Sequence, residues 1–232
     1  MESSPAGVLH DEPHWPGTSS LVVPVPGFEA YARARSAFYD EEYVSTDPSF
    51  AHAHVTLLSP FVDAEGLTAE VRNEIDQLLS RQEPFAVRFE RFGVFPDGTV
   101  HLVPTPAEPF SRLTADLAER FPGFRPYGGR FADVRPHLTL DRIGPQSLDD
   151  VKAAVADLLP AVTQVVEARL SWYEQGACRT LGTWRLGHSA GGSSPAGPVP
   201  RPPRRAAGLA SSGTPNASHR PRGYSRRAIP NA

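Results

Sequence analysis

The stretch AHVTLLSPF at residues 53–61 decides how this chain folds, because RPHLTLDRI at residues 135–143 repeats its centre. Both stretches contain a histidine, an apolar residue, a threonine and a leucine in that order. Each stretch predicts a β-strand, and Pro60 ends the first one. Side chains alternate across a strand, so the histidine and the threonine of each copy share one face. Each predicted strand therefore presents one imidazole beside one hydroxyl, with the apolar residue between them on the opposite face.

Hydrophobic periodicity predicts about seven strands and four helices in all. The strands are expected at 19–27, 53–61, 84–98, 99–105, 135–143, 161–175 and 178–187, and the helices at 28–40, 67–82, 108–121 and 147–160. Thr68 and Ser147 stand where helix N-caps are expected. The pairs Asp97-Gly98 and Gln175-Gly176 predict tight turns between neighbouring strands. Such hairpins favour a largely antiparallel sheet, and the expected fold class is α+β.

Composition divides the 232 residues into three parts. Residues 1–17 are proline-rich and aperiodic and are expected to form a loose leader, while residues 18–187 are expected to form one compact domain. Residues 188–232 contain seven arginines, no acidic residue and many Pro, Gly and Ser. Such a segment buries too little apolar surface to offset its ordering entropy, so we expect a disordered tail. The overall net charge of −3 therefore combines −10 over the first 187 residues with +7 over the tail.

Several protein classes are excluded by composition. No apolar run approaches the roughly 18 residues that a membrane span needs. The N-terminal segment lacks the basic and apolar regions of a signal peptide, so the expected location is cytoplasmic. Cys178 is the single cysteine, which argues against a disulfide framework or a cysteine-rich zinc site and favours a structural role. A monomer is expected.

The duplicated motif supplies the groups needed for acid–base chemistry at phosphorus. The candidate catalytic residues are His54, Thr56, His137 and Thr139. Histidine titrates near neutrality, so one imidazole can act as general base while the other acts as general acid. The hydroxyls can donate hydrogen bonds to phosphate oxygens as charge develops. This chemistry requires neither a metal nor another cofactor, and the residues alone do not say which histidine is the acid.

The sequence resembles the two-histidine (2H) phosphoesterases, and among them the bacterial 2′-5′ RNA ligase-like branch, also described as RNA 2′,3′-cyclic phosphodiesterases. The resemblance covers most of 19–187, and the two His-x-Thr motifs are its specific part. It implies a bilobal fold with pseudo-two-fold symmetry and mostly antiparallel sheets around a central cleft. It also implies a metal-independent enzyme acting on 2′,3′-cyclic phosphates or 2′-5′ linkages of RNA or nucleotides. Because the domain is acidic, the expected partner is a nucleotide or an RNA end rather than a long polyanion.

Three further residues are candidates for substrate binding. Arg135 is two residues from His137 and is expected to share its face, where a guanidinium could hold phosphate. Tyr127, in a Gly/Pro loop, could stack on a base. His101 lies in the predicted strand at 99–105 and could line the cleft, or it could be a packed histidine.

Two alternative functions remain open. His52 and His54 are also two residues apart and could form a metal-binding pair in a metal-dependent hydrolase, although no third ligand is visible in the sequence. The chain could instead be a non-catalytic module that binds RNA through the cleft and the arginine-containing tail. Four aromatic residues are interpreted as core and not as a stacking surface: Phe85, Phe89, Phe92 and Phe95.

Overall fold

The computed structural model describes residues 17–131, 133–144 and 146–187. Within these ranges eight strands form one sheet, in which every neighbouring pair is antiparallel. The strands are β1 Thr18–Pro24, β2 His54–Leu58, β3 Phe85–Val94, β4 Thr99–Thr105, β5 Leu138–Arg142, β6 Ala161–Val165, β7 Glu167–Tyr173 and β8 Arg179–Arg185. The helices are α1 Glu29–Tyr39, α2 Ala69–Leu79, α3 Glu108–Arg120 and α4 Leu148–Ala154. The α+β class and the antiparallel pairing are confirmed.

The order of the strands has a pseudo-two-fold arrangement. From edge to edge the strands run β6-β3-β4-β5-β2-β1-β7-β8. The succession β1–α1–β2–α2 is repeated as β4–α3–β5–α4. β3, the strand after the first copy, pairs with β4, the first strand of the second copy. After the second copy β6 pairs with β3, and the next strand, β7, pairs with β1, the first strand of the first copy. The two lobes therefore meet between β2 and β5, within one continuous sheet rather than in separate sheets.

The main hydrophobic core joins the helices to one face of this sheet. It contains apolar residues of α2, α3 and α4 together with residues of the strands. Ile75 of α2, Phe110 and Leu117 of α3 and Val151 of α4 are fully buried. Burying a large apolar side chain contributes about 1.5–3 kcal/mol. The helical face is thus the packed one, and polar side chains of the central strands are left on the other face.

Two predicted helix starts are confirmed by their hydrogen bonds. The Thr68 side chain accepts from the backbone N–H of Val71 at the start of α2. At α4, Ser147 accepts from the N–H of Asp150, and the Asp150 carboxylate accepts from the Ser147 N–H. This reciprocal capping box satisfies two backbone donors that the helix itself cannot pair.

The prediction of a single long strand over 161–175 is wrong. The chain interrupts it at Val166, whose neighbours belong to different strands. β6 pairs with β3 near one edge, whereas β7 pairs with β1 and β8 toward the other. Alternation along one sequence cannot show that its two ends pair with opposite halves of a sheet. The predicted final hairpin is therefore formed by β7 and β8 alone.

Three further expectations concern the cysteine, membrane-spanning helices and the two ends of the chain. Cys178 is a buried free thiol that packs with Phe50 and Tyr173, which agrees with a structural role. No helix in the described ranges is long and apolar enough to cross a membrane. The leader prediction for residues 1–17 concerns, except for Gly17, positions outside the described residues, and so does the prediction of a disordered tail at 188–232.

Candidate functional site

The two His-x-Thr motifs lie side by side at the centre of the sheet. β2 and β5 are neighbours, and Val55 is paired with Leu138. In an antiparallel pair the residues flanking a paired position also lie opposite each other, so the histidine of each motif is beside the threonine of the other. Val55 and Leu138 are buried in the core. The two histidines and two threonines therefore lie together on the face opposite the helices.

The four side chains differ in their access to solvent. Thr56 and His137 are buried, His54 is partly buried, and Thr139 is exposed. The pseudo-two-fold symmetry of the strands is therefore not matched by the surroundings of the motifs. His137 and Thr56 form an enclosed pair, whereas in the other pair Thr139 is exposed and His54 is partly buried.

His54 is oriented by the backbone that precedes its strand. Its Nδ1 lies 3.1 Å from the carbonyl oxygens of both Ala51 and His52. An N–H at Nδ1 donates to these acceptors, which leaves Nε2 as the basic nitrogen of the neutral ring. Burial lowers the pKa of His54, although the two carbonyls favour the charged form. The neutral ring can therefore act as a base at Nε2.

His137 has the same orientation in a more enclosed position. Its Nδ1 donates to the carbonyl oxygen of Arg135 at 2.7 Å. Its Nε2 is buried and has no hydrogen-bond partner among the described residues. Burial, together with the neighbouring His101 and His54, lowers the pKa of His137 to about 4. A buried polar atom without a partner is costly, so Nε2 is well placed to meet a group that enters the site.

His101 and Phe95 form a wall beside His137. The rings of Phe95 and His101 stack at 4.0 Å between centroids, and His137 contacts both rings. His101 faces Gly93 across the β3–β4 pair, and a Cβ at Gly93 would lie 2.3 Å from its Nε2. His101 therefore lines the site. Burial lowers its pKa.

The expectation that Phe95 is a core residue is wrong. Phe95 is partly exposed and stacks on His101, whereas Phe89 is buried in the core and Phe85 and Phe92 pack against it. Phe95 follows β3 and precedes the Asp97-Gly98 turn, so the alternation of the strand no longer sets its direction. Its position at a turn next to β4 is the signal that could have separated it from the other three.

Tyr127 covers the enclosed half of the site. Its hydroxyl shares a hydrogen bond with the Thr56 side chain, and its ring stacks over His137 at 6.3 Å. The residue has a φ of 52°, in the left-handed region, and its N–H donates to the carbonyl of Ser59. Burial raises the pKa of Tyr127 to about 12. Phe131, which sequence reasoning did not single out, lies at 5.7 Å from Tyr127 and is largely exposed.

His52 does not join His54 as a metal-binding pair. Its Nδ1 donates to a carboxylate oxygen of Glu29 at 2.5 Å, and its Nε2 accepts from the backbone N–H of Ser45 at 3.2 Å. Both ring nitrogens are therefore occupied. No group of three or more potential metal-ligating side chains occurs in the described part of the chain. His52 instead fixes the loop that supplies the carbonyl groups facing His54.

Arg135 lies outside the strand in which it was expected. β5 begins at Leu138, so strand alternation does not place Arg135 on the face of His137. Its guanidinium is exposed and pairs with Asp133 at 2.8 Å, while its charge lowers the pKa of His101. Arg135 thus lies near the wall of the site, and its role in phosphate binding stays a prediction.

A family model for the 2′-5′ RNA ligase superfamily matches residues 23–177, a range that includes both motifs. The chain belongs to the 2′-5′ RNA ligase superfamily. This membership confirms the resemblance to the 2H phosphoesterases. No curated protein matches the sequence.

Of the solved structures to which this superfamily member is similar, TT0787 supports the same fold. The protein TT0787 of Thermus thermophilus is 19% identical, with a TM-score of 0.51 over 73% of this chain and 98% of that protein. Escherichia coli LigT in complex with 3′-AMP is 18% identical, with a TM-score of 0.44 over 75% of this chain and 100% of LigT. A protein described as a phosphoesterase is 19% identical, with a TM-score of 0.45 over 75% of this chain and 100% of that protein.

Proposed function

We propose that this 2′-5′ RNA ligase superfamily member is a metal-independent phosphoesterase that acts on 2′,3′-cyclic phosphates or 2′-5′ phosphodiester linkages of RNA or nucleotides. The observation that carries the proposal is the pairing of Val55 with Leu138, which brings the two His-x-Thr motifs together on one face. The Nδ1 atoms of both imidazoles are hydrogen-bonded to backbone carbonyls, which leaves each Nε2 as the nitrogen that can exchange a proton with a substrate and so supports the proposal. Catalysis by a paired acid and base needs such an arrangement.

Hydrolysis of a cyclic phosphate uses both histidines in a single displacement. One neutral Nε2 removes a proton from water as the water oxygen bonds to phosphorus. The other histidine, protonated, gives its proton to the ribose oxygen as the bond from that oxygen to phosphorus breaks. The product is a phosphomonoester, and exchange of one proton with solvent on each ring restores the starting state. At a 2′-5′ linkage, water attacks phosphorus in the same way, the bond from phosphorus to the 5′ oxygen breaks, and the protonated histidine gives its proton to that oxygen.

In this proposal the two threonines and Tyr127 bind the phosphate itself. Thr139 is exposed and lies beside His54, so its hydroxyl can donate directly to a non-bridging oxygen. Thr56 shares its hydrogen bond with Tyr127. A phosphate that reaches Thr56 therefore meets the Tyr127 hydroxyl as well, and we include Tyr127 among the phosphate-binding groups.

The test is hydrolysis of nucleoside 2′,3′-cyclic phosphates in excess chelator, with the product identified as the 2′- or 3′-phosphate. His54→Ala and His137→Ala should each lower the rate about 10²–10⁴-fold. The dependence of kcat/KM on pH should be bell-shaped. Its maximum should lie below the ordinary histidine pKa, because burial lowers the pKa of both rings.

Each competing outcome has a distinct meaning. Loss of activity with chelator would contradict the metal-independent mechanism. Undiminished rates in both histidine variants would contradict the assignment of the catalytic pair. Tight binding of nucleotide without turnover by the wild-type protein would favour the RNA-binding alternative.

A further inference from the structure

The two lobes differ in what covers the face that carries the motifs. Beside β1 and β7 this face is covered by the loop at 44–53. Arg169 of β7 donates to the carbonyl oxygen of Ser49 at 2.5 Å, and the Thr180 N–H donates to Asp47 at 2.7 Å. Phe50 packs on Tyr173 of β7, at 5.2 Å between ring centroids. A polymeric substrate has no room to lie on the sheet in this lobe.

The same face of the other lobe is open. Gly93 of β3 lies against His101, which marks the face of the site. Arg91 is two residues from Gly93 along β3 and pairs with Val103, so it shares that face. A bulge at Glu90 follows, and Arg88 lies opposite Thr105. The core residue Phe89 separates them and faces the helices, so Arg88 and Arg91 both point to the open side.

These positions make a short cationic path that leads away from the histidines. Each two-residue step along a strand covers about 6.7 Å. The Arg91 guanidinium donates to the Thr105 hydroxyl at 3.4 Å, a neutral acceptor that orients the charge without neutralising it. Arg88 pairs with Glu90 at 2.8 Å, and both side chains are nearly half exposed. Val162 of β6, opposite Arg88, is 62% exposed and adds an apolar surface beside the two cations.

We propose that the substrate is an oligoribonucleotide whose strand runs from the histidines over the β3–β4–β6 face, with its backbone phosphates on Arg91 and Arg88. This inference rests on the proposed function, since it places the reacting phosphate between His54 and His137. Arginines spaced along one face can hold successive phosphates of a single strand without reading its sequence. We place only two cations in the contact. The first 187 residues carry a net charge of −10, which disfavours binding of a longer stretch of RNA.

The experiment compares two substrates that carry the same reacting group. kcat/KM is measured for a nucleoside 2′,3′-cyclic phosphate and for a short oligoribonucleotide ending in a 2′,3′-cyclic phosphate. The proteins are the full-length wild type, Arg91→Ala and the double variant Arg88→Ala/Arg91→Ala. Arg120→Ala is the matched control, because Arg120 is similarly exposed and paired with Glu74, but on the helical side.

The double variant should lose about ten-fold in kcat/KM on the oligonucleotide and stay within about two-fold of wild type on the nucleoside substrate. The slope of log(kcat/KM) against log[salt] on the oligonucleotide should become shallower by about 0.7 for each arginine that engages a phosphate. Arg120→Ala should leave both substrates unaffected. Unchanged oligonucleotide kinetics in the double variant, or equal losses on both substrates, would overturn the proposed course of the RNA strand over Arg91 and Arg88.

Failure of the proposed function has a different signature. Wild-type protein that hydrolyses neither substrate would overturn the phosphoesterase assignment. The proposed course of the RNA strand is then tested by fluorescence anisotropy with an oligoribonucleotide that carries a 3′-terminal phosphate. Weaker binding by the double variant but not by Arg120→Ala supports this course, and equal binding by all variants overturns it.

Discussion

At the scale of single residues, the enclosure of His137 is the feature with the largest consequence. Tyr127, Phe95 and His101 surround its ring, and its Nε2 meets no partner among the described residues. Removing an imidazole from water disfavours its charged form. The ring is thus neutral at pH 7 in the free protein, ready to accept a proton at Nε2.

The lowered pKa of His137 makes folding stability depend on pH. The unfolded chain binds a proton at this histidine near pH 6.5, whereas the folded protein does so only at about 4. Stability is therefore full above pH 6.5 and falls on acidification through that window, by about 2 kcal/mol between pH 7 and 5. Urea unfolding at both pH values should show that His137→Asn loses less stability on acidification than the wild type. Thr139→Ala, which removes no titrating group, should lose as much as the wild type. An equal loss in all three proteins would contradict this account.

Gly93 is required by the histidine that packs on it. In Gly93→Ala the new Cβ would lie 2.3 Å from His101 Nε2 and 2.7 Å from Cε1. The stacked Phe95 restricts how far the His101 ring can move away. We expect a loss of about 1–3 kcal/mol in unfolding free energy, together with reduced hydrolysis. Gly123→Ala is the control, since its Cβ would have nothing within 4 Å. Both are measured by thermal unfolding and kinetics, and equal behaviour would show that His101 is not held in this position.

At the scale of elements, a bulge in β5 ties α1 to the sheet. The pairing of β4 with β5 shifts between Val100 and His101, so that Leu140 is the extra residue and Asp141 lies opposite the core residue Val100. The Asp141 carboxylate is thereby turned to the helical side. There it accepts from Tyr39 at 2.5 Å and from Arg35 at 3.1 Å.

Breaking this pair should be costly because both charges are enclosed. The side chain of Asp141 is fully buried and that of Arg35 is 15% exposed, with a second contact of 2.8 Å between Nε and Oδ2. Asp141→Ala leaves the guanidinium without its partner and should cost about 3 kcal/mol of unfolding free energy in urea. Glu74→Ala, which breaks the more exposed pair with Arg120, should cost less than about 1 kcal/mol. Similar costs for the two variants would show that solvent screens the Asp141 pair as well.

At the scale of the whole molecule, symmetric strands produce an asymmetric site. The repeat β1–α1–β2–α2 and its second copy bring the motifs to one central pair. The loop at 44–53 then covers one lobe, and Tyr127 covers Thr56. Because each lobe has different neighbours above its motif, the two histidines have unequal surroundings and can take unequal roles.

The described elements between residues 17 and 187 contain the eight-stranded sheet and both motifs. A chain ending after Gly187 should therefore keep kcat/KM on a nucleoside cyclic phosphate within about two-fold, since no described hydrogen bond or packing contact of the site is removed. The same truncation measured by oligonucleotide binding at several salt concentrations tests the alternative in which the tail binds RNA. Abolished hydrolysis in a truncated protein that remains folded would contradict the separation of tail and site.

The sequence by itself determined the fold class, most elements and the pair of motifs, because these depend on local periodicity. The helix caps Thr68 and Ser147 and the strand at 99–105 follow from residues within a few positions of each other. Only the tertiary structure decided the split at Val166 and the place of Phe95 beside His101. Both depend on which strands become neighbours, and pairing between residues far apart in the chain leaves no periodic signal in either segment.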